Sequence, residues 1–173
     1  MRWPHKWGFK SGPAALSGHI SKAPGFAGGY LLILFAQAEA SLVDLLIALD
    51  GRIDQRAAQR ILKADDAKQK VLALAQTSGL VDYELTELLN GIDQYWADRE
   101  SRNRFIHDEW FVALRDGGIP TTRGLPLRKG SSVIWDSPTS GEVWNLASRF
   151  LEHHGLFSHV AYRVRRDREF DAG

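Results

Sequence analysis

The sequence predicts an all-α protein, an antiparallel bundle of four or five helices with a short β-hairpin-like insertion near residues 119–136. Three observations carry that expectation. Apolar residues recur at helical spacing in several long segments. Asp-Gly, Thr-Ser-Gly and Gly-Gly steps punctuate those segments where helices would close. The stretch "IPTTRGLPLRKGSSVIWDSP" departs from this pattern, with Pro, Gly and Thr around alternating Val133 and Trp135, as in a two-stranded hairpin or an ordered loop.

The chain has 173 residues, 44% of them apolar and 25% charged, an ordinary balance for one soluble globular domain. It has no cysteine, which excludes a disulfide framework, a thiolate metal site and a cysteine nucleophile. A net charge of +1 favours no partner class, because a near-neutral total can hide patches.

Residues 1–25 are expected to form an irregular arm that packs through Trp3 and Trp7 or stays loose, ahead of a single domain over 26–173. The arm's basic start leads into Gly, Pro and Ser, with no apolar signal core. The first helix is expected over Phe26–Leu49, closed at Asp50-Gly51. Its opening run "YLLILFA" is apolar enough for a membrane, but Glu39 and Asp44 interrupt it. A span needs roughly 20 nearly uncharged residues, so a buried helix, no membrane and a cytoplasmic setting are expected.

A second helix follows from Asp54, with Ala57, Ala58, Ile61, Leu62, Val71, Leu72 and Ala75 as its apolar stripe. The polar "KADDAKQK" is a possible break within it, and Thr77-Ser78-Gly79 ends it. A third helix begins near Asp82 and carries Leu85, Leu88, Leu89, Ile92 and Trp96. It is expected to continue into "SRNRFIHDEW", helical through Ile106, Trp110, Phe111 and Leu114, until Gly117-Gly118. The last helix is capped by Thr139 or Ser140 and runs to about His154, carrying Val143, Leu146, Phe150 and Leu151. The tail "HVAYRVRRDREF" is open between helix and strand.

"SRNRFIHDEW" is the segment with chemistry in it. Asn103 and His107 are four residues apart and share a helix face. Arg102 lies about 100° round the axis from Asn103, within reach of the same cleft. Together they hold the parts for metal-independent RNA cleavage. Histidine can move the protons of the 2′-hydroxyl and the 5′-oxygen. Arginine's fixed fork of donors suits phosphoryl oxygens whose charge grows in the transition state. The plain alternative is a helix surface with one Arg, one Asn and one His. No second ligand is spaced to join His107 on a metal, so neither metal nor cofactor is expected.

This segment resembles the Arg-x4–6-His signature of the HEPN superfamily (higher eukaryotes and prokaryotes nucleotide-binding), in which a polar residue, often Asn, follows the Arg. Arg102, Asn103 and His107 match it with four intervening residues. The helical bundle, the late position of the signature and the acid Glu39 in an apolar first helix agree, over roughly residues 26–155. The resemblance implies a metal-independent endoribonuclease of toxin–antitoxin or defence systems, working as a homodimer with one shared cleft, with an antitoxin protein as a candidate partner. Arg102 would then stabilise the phosphate, Asn103 position it, and His107 act as general acid or base. It equally allows a non-catalytic module that binds RNA, nucleotide or a partner protein.

Glu39 is either the partner of Arg102 or part of a narrow polar strip with Gln37 or Asp44. Arg123, Arg128 and Lys129 in the insertion, and Arg163, Arg165, Arg166 and Arg168 in the tail, form two basic clusters. They can follow an RNA backbone with help from Trp135 or Tyr162, or simply be solvated charge. His153-His154 reads as the polar end of the last helix.

Overall fold

The structure, a computed structural model, describes residues 24–107, 109–112, 120–124, 134–136 and 139–171. The 1–23 arm, with Trp3 and Trp7, lies outside them. Five helices build a bundle: α1 (Pro24–Asp50), α2 (Gln55–Lys63), α3 (Ala67–Gln76), α4 (Asp82–His107) and α5 (Ser140–Asp171).

Each helix starts and stops for a local reason. Asp50 is followed by Gly51 at φ 75°, a left-handed position that glycine takes without a Cβ clash, and its N–H closes on the Ile47 carbonyl at 2.8 Å. Asp54 caps α2 by accepting from the Ala57 N–H at 2.7 Å. The polar 64–66 segment does break the second helical region, separating α2 from α3. Thr139, the N-cap of α5, accepts from the Glu142 N–H at 3.2 Å while the Glu142 carboxylate takes the Thr139 N–H at 2.5 Å, a reciprocal capping box. Those hydrogen bonds hold the Glu142 carboxyl below its ordinary range.

α1 is the spine. Leu31, Leu34, Ala38, Leu42, Leu45, Leu46 and Leu49 are buried, each aliphatic side chain contributing roughly 1.5–3 kcal/mol. By length and composition its Gly28–Asp50 stretch is apolar enough to cross a bilayer, with 56% of its most apolar window buried in the fold. Onto it pack Leu88, Ile92 and Tyr95 of α4 and Leu146, Phe150, Phe157, Val160 and Val164 of α5. Phe35, Tyr95, Phe150 and Phe157 form an aromatic centre, with Phe35 and Phe150 edge-to-face at 5.2 Å and Tyr95 and Phe157 at 5.6 Å.

Four expectations need correction. The bundle is not antiparallel throughout. Contacts pair Tyr30 with Trp144, Ser41 with His154 and Leu49 with Arg168, so α1 and α5 run parallel. α4 runs against both, because Phe35 meets Tyr95 and Arg102 while Glu84 meets Arg163 and Asp98 meets Arg149.

Second, α4 ends at His107 and does not reach Leu114. Glu109–Val112 is instead strand β1; its aromatic and β-branched residues suit a pleated surface better than a helix. Third, a two-stranded hairpin confined to 119–136 is not what forms. β1 pairs antiparallel with β2 (Pro120–Gly124), which pairs with β3 (Ile134–Asp136), in the order β1-β2-β3. Fourth, α5 continues to Asp171, so His153 and His154 lie in mid-helix.

Candidate functional site

The core fixes the position of Arg102. Tyr95 is buried on α4, and Arg102 follows two turns later, half-buried at the rim of the aromatic centre. Its guanidinium carbon lies 4.1 Å from the centre of the Phe35 ring, a cation–π contact strengthened by desolvation. The ring cannot drift, since Phe35 stacks on Tyr95 with planes 7° apart and meets Phe150 edge-on. Burial pulls the Arg102 pKa below its ordinary value, and the Glu39 carboxylate opposes that pull.

Arg102 Nη1 donates to Asn103 Oδ1 at 2.9 Å, while its Nε is enclosed with no hydrogen-bond partner. A guanidinium has only donors. The Asn103 atom facing it must therefore be the carbonyl oxygen, and the amide nitrogen of this exposed side chain faces away. The pair thus presents guanidinium and amide N–H groups, a set of donors suited to an anion.

Glu39 is half-buried. Among the described residues no ion pair joins it to Arg102, although it is close enough to act electrostatically on Arg102 and Tyr95. Burial and, after it, the Glu39 carboxylate push the Tyr95 hydroxyl well above its ordinary pKa. Glu39 therefore sets the local field without clamping the guanidinium.

His107 is the last residue of α4, and its side chain lies outside the described residues. From helix geometry its Cα is about 40° round the axis from Asn103 and about 140° from Arg102. Asn103 thus lies between the other two in angle, and a single copy presents Arg102 and His107 on different sides of α4. Ile106, one position before His107, is 36% exposed.

The basic clusters divide. Arg123 is central in the sheet, with Glu109 and Trp135 as its register partners on either side; Arg128 and Lys129 lie outside the described residues. Three of the four tail arginines reach neighbouring helices, while among the described residues Arg166 meets only the adjacent Asp167 at 3.3 Å. Arg163 pairs with Glu84 at 3.0 Å and Arg165 with Asp44 at 3.8 Å. Arg168 donates to the Leu49 carbonyl at 2.7 Å, a cation on the negative end of α1. Their work is to fasten α5 to its neighbours.

Sequence reasoning missed two polar clusters. Asp98 is 2% exposed, accepts from Arg149 Nε at 2.8 Å and Gln94 Nε2 at 3.2 Å, and meets His153 Nε2 at 2.8 Å. Burial raises its pKa, but His153, Arg149 and Gln94 together outweigh that and hold the carboxyl below its ordinary value. The signal was present in the sequence: Gln94 and Asp98 are four apart on one helix, and Arg149 and His153 four apart on another. In the second cluster Ser41, 5% exposed, contacts His154 Nδ1 at 2.5 Å, receives the Ser158 hydroxyl at 3.0 Å and reaches the Gln37 carbonyl at 3.0 Å. Ser41 has one proton; if Gln37 takes it, His154 must donate from Nδ1 and is no base toward Ser41. Both clusters bind helices together through a buried centre, Asp98 with His153 in one and Ser41 in the other, while Gln94 and Ser158 reach solvent.

Among the described residues no group of three His, Asp or Glu side chains is placed to hold a metal. No family model, no curated protein and no solved structure matches the chain.

Proposed function

We propose that this protein is a metal-independent endoribonuclease of HEPN type, toxin- or defence-related and cytoplasmic, in which Arg102, Asn103 and His107 act on one phosphodiester. The observation that carries the reading is the Arg102–Asn103 pair: a partly desolvated guanidinium, fixed on Phe35, with its donors and an amide nitrogen left for an anion. A phosphoryl group there meets fixed positive charge where negative charge grows. The ribose 2′-oxygen loses its proton to His107, attacks phosphorus and expels the 5′-oxygen, which receives a proton from a second histidine. The products are a 2′,3′-cyclic phosphate and a 5′-hydroxyl.

Two copies of the chain supply both histidines. The angular separation of Arg102 and His107 on α4 favours a cleft completed across a twofold axis. The outer face of α1, where Leu32 and Ile33 are 44% and 58% exposed, is suited to cover by a second copy. A monomer by light scattering at micromolar concentration would remove the shared cleft. An antitoxin protein would act by blocking it.

The test is incubation of the purified protein with mixed cellular RNA in EDTA. Cyclic-phosphate ends that disappear in Arg102→Ala and in His107→Ala support the enzyme. RNA retained but uncut by the wild type supports the second reading, a binding module, since the same donors hold a phosphate whether or not the ester is broken.

A further inference from the structure

α2 carries an unbalanced row of cations. Arg56, Arg60 and Lys63 line an open groove of about 490 Å³ together with Asp54 and Gln59, and exposed Arg52 precedes them. Several cations elsewhere in the bundle have carboxylate partners: Lys68 with Asp93 at 2.7 Å, Lys70 with Asp66 at 2.8 Å, Arg149 with Asp98 and Arg163 with Glu84. Among the described residues Arg52, Arg56, Arg60 and Lys63 have none.

Folding accounts for only part of this row: Arg60 and Lys63 stand in the last turn of α2, where the helix dipole favours cations, but Arg56 does not. Arg56 and Arg60 are four apart, so like charges repel across one turn. Arg56 stands in the first turn of α2, which has no acidic residue, at the helix end that disfavours cations. The opposite face is well used, with Ala58 and Leu62 buried. Successive cations are thus held about 5–6 Å apart along a rigid helix, a spacing comparable to that of phosphates along a nucleic-acid strand.

We infer that the outer face of α2 is a docking surface for the phosphate backbone of single-stranded RNA, with Arg56, Arg60 and Lys63 each neutralising a phosphate and Gln59 facing the same groove. An anionic membrane is the less suitable polyanion. An interfacial helix needs exposed large apolar residues beside its cations, and among the described residues the exposed large apolar side chains lie off α2. The inference deepens the ribonuclease reading, and rests on it for the choice of RNA. α2 follows the end of α1 at Asp50, whereas Arg102 packs on Phe35, roughly 22 Å back along the α1 axis. A strand held at α2 must therefore extend over several nucleotides to be cut at Arg102.

The experiment measures fluorescence anisotropy of a labelled mixed-sequence 20-nucleotide RNA with full-length His107→Ala protein in EDTA, over a salt series. The comparison is the same protein carrying Arg56→Gln, Arg60→Gln and Lys63→Gln, three exposed positions whose change leaves the circular-dichroism melt in place. The expected result is at least tenfold weaker binding at moderate salt and a log–log salt slope shallower by about 2, from three lost phosphate contacts at about 0.7 each. An affinity within twofold and an unchanged slope overturn the proposal, as does triple-variant-sensitive binding to phosphatidylserine vesicles with no effect on RNA. Binding that depends on α2 in a protein whose wild type never cuts RNA would leave this surface standing and remove only the ribonuclease reading.

Discussion

Asp98 and Arg102 sit one turn apart on the same face of α4, and the fold treats them in opposite ways. Asp98 is sealed in, yet three side chains answer its two oxygens. Arg102 is only half-buried, yet its Nε is enclosed with no partner and its guanidinium rests on a ring in place of a carboxylate. A buried charge that is fully answered holds helices together. A charge that loses water and gains only part of its hydrogen bonds is held ready for something that arrives later. The difference separates a structural cluster from a candidate site without appeal to any relative.

The most damaging change should be Asp98→Ala. It leaves Arg149 and His153 facing an empty position, and removing one partner of a buried pair costs about 3–5 kcal/mol, to be read as a lower urea midpoint. Arg102→Met should reverse the pattern. It keeps the packing on Phe35 and removes the orphaned Nε, so stability should hold or rise slightly, while RNA cleavage falls by about 10²–10³-fold. A large loss of stability in that variant would make Arg102 as structural as Asp98 and erase the contrast.

Acid sharpens the same comparison. The folded pKa of Asp98 is depressed, so its contribution to stability is complete above the unfolded value of about 3.9 and is lost as pH falls through the lower folded value. Chemical unfolding below pH 4 should show a drop that Asp98→Asn lacks. A smaller effect belongs to Gly51→Ala, which forces a Cβ into a left-handed turn at φ 75° and against the Arg168 guanidinium. A cost of about 1–3 kcal/mol is expected, measured as a shift in melting temperature. Full retention of stability would show that the Arg168 cap on α1 yields freely.

Helix ends were legible because their chemistry is local. Gly51, Asp54, Gly79, Asp82 and Thr139 act within a turn of their own position, and each marks a boundary readable from the chain. Beyond His107 that logic stopped working. Trp110 and Leu114 fall at helical spacing after Ile106, but pairing with 120–123 across the sheet is non-local and outweighs the periodicity. The tail histidines and arginines were misjudged for the same reason: their roles depend on Asp98, Ser41, Glu84 and Leu49, which are far away in the chain. At the site itself, the residue types Arg, Asn and His were readable. The seat of Arg102 on Phe35 was not, because nothing in one helix specifies which ring of another lies beneath it.

The shared direction of α1 and α5 has a practical consequence for experiments on this molecule. Pro24, where α1 begins, Ser140, where α5 begins, and His107, where α4 stops, belong to one pole of the bundle, whereas Asp50 and Asp171 belong to the other. A reporter dye or purification handle joined beyond Asp171 would sit on the order of 40 Å from Arg102 by helix rise alone, clear of the candidate site.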